Sequence, residues 1–76
     1  MTSQKVELIQ DELKKYIGPI GKFVVEKQIN NMEEDKDNFP DDKIEELIER
    51  SVDIGVFDKR IQKTVKERIR TSVMFK

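Results

Sequence analysis

The apolar residues recur at helical spacing, about 100° per residue, in four separate stretches. In the first, about Ser3 to Ile17, Val6, Ile9, Leu13, Tyr16 and Ile17 share one side, and Leu8 widens the stripe. Thr2 or Ser3 is placed to cap its N-terminus, and Lys14 and Lys15 suit the negative end of its dipole. Gly18 stops this helix, because glycine takes a left-handed conformation at no steric cost. Pro19 then opens the next one, where a missing N–H costs little.

The second helix, Pro19 to about Met32, has two apolar faces. Ile20, Phe23 and Val24 lie together, while Val25, Ile29 and Met32 lie almost opposite. Such a helix is either buried between neighbours or shared between core and interface. It is expected to be the most buried element, with Val25, Ile29 and Met32 as the surface for self-association.

A polar connector, residues 33–42, follows. Asn38-Phe39-Pro40 breaks any helix there, since proline disfavours α geometry in the residue before it, and Phe39 should fold back onto the core. The third helix starts near Asp41 or Asp42, carries Ile44, Leu47, Ile48 and Val52, and ends at Gly55. The fourth starts near Phe57 or Asp58 and runs to about Ser72, with Phe57, Ile61, Val65, Ile69 and Val73 every fourth residue. No stretch alternates as a strand would; Val56-Phe57 and Val73–Phe75 are too short to build a sheet. The expected fold is all-α, a compact bundle of four short helices forming a single domain over residues 1–76.

Composition narrows the chemistry. The 76 residues include no Cys and no His. That removes disulfides, zinc fingers and thiol catalysis, and also the commonest general base. Six Ser and Thr residues have no histidine to activate them. No apolar run approaches ~18 residues and residues 1–15 lack a signal-peptide core. The expectation is a cytoplasmic, membrane-free, cofactor-free protein that is not an enzyme.

Charge is balanced overall, net −1, but segregated: residues 1–32 carry +1, residues 33–58 carry −8 and residues 59–76 carry +6. On the fourth helix Lys59, Arg60, Lys63, Lys66 and Arg70 project opposite the apolar stripe, interrupted by Glu67. This face is either solvated surface drawn to the acidic third helix or a contact for an acidic protein partner.

Three motif comparisons yield less. Gly18-Pro19-Ile20-Gly21-Lys22 resembles half a phosphate loop, but Phe23 stands where a hydroxyl must hold magnesium and no strand precedes it. Gly21 instead suits a close approach of the first two helices. Asp35, Asp37 and Glu46 fall at calcium-loop positions, yet Phe39 and Pro40 occupy the places of a ligand and the turn glycine. Ser51, Gly55, Val56 and Ile61 fit a helix-turn-helix, which makes a nucleic-acid-binding regulator reading DNA with the fourth helix the alternative function. Against it, Arg50 and Thr64 occupy usual core positions, and a pI near 5.5 is far from a basic footprint.

The stretch Leu13–Val25, LKKYIGPIGKFVV, resembles small helical tail modules of prokaryotic signalling proteins, which follow kinase, receiver or other regulatory domains. Those tails carry a Tyr-Ile/Val-Gly-Pro-Ile-Ala-type signature, a polar turn, an acidic-start helix and a last helix opening with Phe and Arg. Tyr16–Ile20, residues 33–42, Ile44–Val52 and Phe57–Arg60 correspond, with Gly21 in place of the usual Ala. The resemblance implies a non-enzymatic interaction or regulatory module.

Overall fold

The computed structural model describes residues 3–74. Helix α1 spans Gln4–Ile17, α2 Ile20–Asn31, α3 Ile44–Gly55 and α4 Lys59–Met74; a single 3-10 turn, Asp41–Lys43, leads into α3. Thr2 and Phe75, named above as a cap candidate and as a short apolar run, lie outside the described residues. Ser3 is the N-cap of α1, but its hydroxyl makes no capping bond. Its backbone N–H donates to the Lys36 carbonyl instead, at 2.9 Å, tying the start of α1 to the connector.

The helices alternate in direction, and the bundle is four-sided: α1 packs on α2 and α4, and α3 packs on α2 and α4. α1 and α3 also meet across the middle, whereas α2 and α4 lie apart on opposite sides. Contacts fill that middle from every element: Val6, Ile9 and Leu13 of α1, Val25 and Ile29 of α2, Ile44, Leu47, Ile48 and Val52 of α3, and Val65, Ile69 and Val73 of α4. Phe39 folds back from the connector and is buried, as its isolation in a polar stretch requires.

Two expectations are corrected. The most buried element is α3, which places Ile44, Leu47, Ile48, Ser51 and Val52 inside. The physical reason that α2 is not the most buried is position: α1 and α3 each touch all three other helices, and α2 only two. On α2 the faces are also exchanged. Val25 and Ile29 are 0% and 2% exposed and Met32 packs half-buried against the core, so this trio is no self-association surface. Ile20 and Phe23 face outward instead.

Short-range geometry explains the turns. The α1–α2 corner turns at Gly18, with φ 76° and ψ −160°, a region open essentially to glycine alone. Its N–H donates to the Lys14 carbonyl at 2.8 Å. α2 ends in a Schellman motif: the Glu34 N–H reaches Ile29 O at 3.1 Å and the Glu33 N–H reaches Asn30 O at 3.0 Å. The left-handed residue of that motif is Glu33, φ 57°. Gly55 closes α3 without a positive φ, because the chain leaves through an extended Val56.

At Gly21 an added Cβ would sit 2.9 Å from the Lys14 backbone nitrogen and 3.1 Å from its Cα. Backbone cannot swing aside as a side chain can. Gly21→Ala gains about 1 kcal/mol of helix propensity but incurs about 1–3 kcal/mol of overpacking. We expect a net loss of up to about 2 kcal/mol, read as a lower urea midpoint. Glu33→Gly should do the reverse, relieving left-handed strain to raise stability by about 0.5–1 kcal/mol in the same measurement.

Candidate interaction surface

The Gly18–Pro19 corner and the three-residue link Val56–Asp58 bring four helix ends to one pole of the bundle. We call it the turn pole; the opposite end, which holds residues 33–43, is the connector pole. Among the described residues seven large hydrophobic side chains are exposed, and six of them crowd the turn pole: Tyr16, Ile20, Phe23, Ile54, Phe57 and Ile61. Exposed apolar residues scattered singly need no explanation, but a contiguous cluster marks an interaction site.

Each is there because its helix has finished burying its main stripe. On α2 the inward stripe is Val25 and Ile29, which leaves Ile20, Phe23 and half-buried Val24 on the outer side. On α3, Ile54 falls off the Leu47, Ile48, Val52 stripe and is 51% exposed. On α4, Val65, Ile69 and Val73 reach the core, but Ile61 is only half covered and Phe57 is 91% exposed. The long apolar stripe read from the sequence therefore overshoots the bundle by more than one turn.

Phe57 is held out rather than loose. Val56 before it is buried, and its carbonyl accepts the Gln62 side-chain N–H at 2.5 Å. Asp58 after it caps α4: its Oδ1 accepts the Arg60 backbone N–H at 2.9 Å. The Arg60 guanidinium and that N–H together hold the Asp58 carboxyl below its ordinary value. With both neighbours fixed, Phe57 lines a cleft of about 490 Å³ together with Ile17, Ile20, Val24, Ile54 and Gly55. Gly55 keeps the floor open, since a Cβ there would lie 2.9 Å from Ile17 Cδ1 and 3.7 Å from Val24 Cγ1.

Basic residues outnumber acids near the pole but do not line the cleft: Lys14 and Lys22 line a neighbouring groove with Asp11, and Lys59 and Lys63 another with Glu49 and Glu67. Residues 13–23 and 53–63 hold six bases and two acids. Lys15 pairs with Glu12 at 3.1 Å and Arg60 with Asp58 at 3.3 Å. Asp53 is taken by Lys66 at 2.8 Å. Lys14, Lys22, Lys59 and Lys63 are exposed and form no ion pair among the described residues.

The basic face expected on α4 thus splits in two. Lys59, Arg60 and Lys63 stay at the pole. Lys66 and Arg70 are structural: Lys66 reaches Glu49 at 3.1 Å as well as Asp53, and Arg70 Nε lies 2.6 Å from Glu45 Oε1, with Nη2 3.5 Å from Glu49. The hydrogen bond to Asp53, with the help of Glu49, raises the Lys66 pKa although partial burial opposes it. These ion pairs stitch α4 to α3, so their two bases are not free for a partner. The same acids weaken the helix-turn-helix alternative, because Glu45, Glu49 and Asp53 would oppose phosphate beside α4. Thr64, where that motif buries an apolar side chain, is exposed.

The arrangement is that of a small four-helix bundle with an apolar pole. The chain belongs to the family described as Domain of unknown function (DUF8082), which matches residues 4–50. That match spans α1, α2, the connector and α3 as far as Arg50; it includes Tyr16–Val24 of the turn pole and leaves Ile54, Phe57 and the α4 lysines outside. No curated protein and no solved structure matches the chain.

The pole was half legible in the sequence. Its signal is the apolar residue left over once each helix has its core stripe: Ile20, Phe23, Ile54 and Phe57. The split of the α4 bases follows from a distinction that the charge pattern does not make, between bases facing α3 and bases beyond its end. It sets a prediction. Lys66→Glu places a third carboxylate beside Glu49 and Asp53 and should cost about 1–2 kcal/mol, a fall in Tm of roughly 4–16 °C for a domain this size. Lys63→Glu should change Tm by no more than about 2–4 °C, as a surface substitution does. Calorimetry of the two variants checks the difference.

Proposed function

We propose that the chain is a non-catalytic protein-contact module that engages its partner through the turn pole. The observation that carries this reading is the gathering of Tyr16, Ile20, Phe23, Ile54, Phe57 and Ile61 at one end of an otherwise charged surface. A soluble bundle gains nothing for its own stability from Phe57, which is almost wholly exposed while both its neighbours are anchored. Such an aromatic residue suits the centre of an interface, where a buried ring is worth most.

The setting we propose is cytoplasmic and prokaryotic, among signalling components, on the strength of the Tyr16–Ile20 signature. No described helix is long and apolar enough to cross a membrane. The absence of His and Cys from the sequence argues against catalysis. Nucleic-acid binding is the weaker reading, since the acids of α3 take up Lys66 and Arg70 on the face that would meet phosphate.

The test is affinity capture from cells of the source organism, with wild-type, Phe57→Glu and Ile20→Glu chains as bait. Both substituted side chains are exposed, so melting curves should stay within about 0.5 kcal/mol of the wild type. A protein retained by the wild type and lost, by tenfold or more, from both variants is the expected result. Equal retention by all three chains means that the turn pole is not the contact surface.

A further inference from the structure

We infer that the chain forms a symmetric homodimer through its turn pole, in which Phe57 of each copy enters the cleft of the other. This rests on the contact-module reading above and names the partner as a second copy of the chain.

The first argument is shape. A two-fold interface brings the same patch of both subunits together, so that patch must hold both halves of every contact it makes. The turn pole does. Phe57 is the projecting half, 91% exposed, with buried Val56 and the Asp58 cap holding the backbone on either side of it. The cleft of about 490 Å³ is the receiving half, and the residues that share its lining with Phe57 are Ile17, Ile20, Val24, Ile54 and Gly55, all apolar or glycine. Within one chain Phe57 forms only part of the wall and does not fill the cleft. A cavity of ~150 Å³ takes a benzene ring, so the cleft has room for a phenyl group.

The second argument is area. The exposed parts of Tyr16, Ile20, Phe23, Ile54, Phe57 and Ile61 amount to roughly 600–700 Å² per chain, on a scale of about 200 Å² for a fully exposed large side chain. Two copies would bury roughly 1,200–1,400 Å², which reaches the size of stable, specific interfaces, about 1,200–2,000 Å². Elsewhere, among the described residues, the one exposed large hydrophobic side chain is Met74, at the far end of α4. No second apolar patch is there to receive the pole head to tail, so association through it closes at two copies.

The lysines of the pole line neighbouring grooves and not the cleft, so their ammonium groups can stay in water at the rim while the apolar surfaces meet. They do set a sign. Residues 13–23 and 53–63 of each copy hold six bases and two acids, so the two rims repel. Salt screens that repulsion and should tighten the dimer; it would weaken a complex with an acidic partner.

Sedimentation equilibrium of the full chain tests this. Between ~5 µM and ~1 mM the mass should rise from the 9.0 kDa of one chain to twice that value, and at lower concentration in ~500 mM than in ~50 mM salt. Phe57→Ala and Ile54→Glu, both at exposed positions, should each weaken the dimer at least ~10-fold while leaving the melt of the dilute chain unchanged. Met74→Glu, at the opposite pole, should leave the dimer intact. In a mixture of isotope-labelled and unlabelled chains, the Phe57 ring protons of one copy should show NOE cross-peaks to the methyl groups of Ile20, Val24 and Ile54 in the other. A chain that stays monomeric at ~1 mM in ~500 mM salt overturns the proposal. So does a dimer that survives Phe57→Ala, one that salt weakens, or one whose intermolecular cross-peaks arise away from the cleft. If the chain is monomeric but cellular capture of a different protein is lost with Phe57→Glu, the contact module stands and the second copy falls. If dimer and Phe57-sensitive capture are both absent, the contact module falls with it.

Discussion

Backbone meets backbone where α2 crosses α1, and the shape of the molecule follows from it. Gly21 lies so near Lys14 that even a methyl group would strike the main chain. Gly18 supplies the tight reversal just before, in a conformation that other residues avoid. Together they lock α1 and α2 into a pair with a fixed crossing. That crossing decides which side of α2 is sealed. Val25 and Ile29 are carried inward, and Ile20 and Phe23 are left on the rim. A looser corner would let α2 roll, and the apolar pole would disappear into the core.

The other half of the bundle is held by different means. α3 brings Glu45, Glu49 and Asp53 to the side where α4 brings Lys66 and Arg70. These pairs are partly exposed, so each is worth little alone. Their value is in register. Three acids at successive turns against two bases at matching turns favour one axial position of α4 over a slip by a turn. The Asp58 cap and the Gln62 bond to Val56 fix the same register from the end of the helix. Phe57 is exposed because it stands in the link before α4, ahead of half-covered Ile61 and more than two turns ahead of Val65, the first residue of that stripe the core buries.

The number of helices, their rough limits, Phe39 as a core residue and Gly21 as a point of close approach were all legible in the pattern of residues. Each is a local or near-local consequence of spacing, of proline or of glycine. The facing of α2 was not. Its two apolar faces are nearly equal in the sequence, and which one is buried depends on the crossing with α1, a tertiary constraint with no periodic signature. Nor was the division of the α4 bases. Lys63 and Lys66 sit close on the same side of the helix, and only the length of α3 separates the base that finds a carboxylate from the one that does not. The turn pole is the sum of these two unread facts.

The separation of charge along the bundle has a consequence for how a partner arrives. The connector pole carries eight acids against two bases over residues 30–46, and the turn pole, about 20 Å away along helices of 12–16 residues, carries more bases than acids. The Debye length in a cell is about 8 Å. An approaching molecule therefore feels the near end alone, and the near-zero net charge of the whole chain is irrelevant to it. The two ends of the bundle therefore present different fields to an approaching molecule. An anionic surface would meet the lysines first, with Phe57 already at the front. Orientation, usually the slow part of protein encounter, would then be supplied in advance by the order of charges along 76 residues.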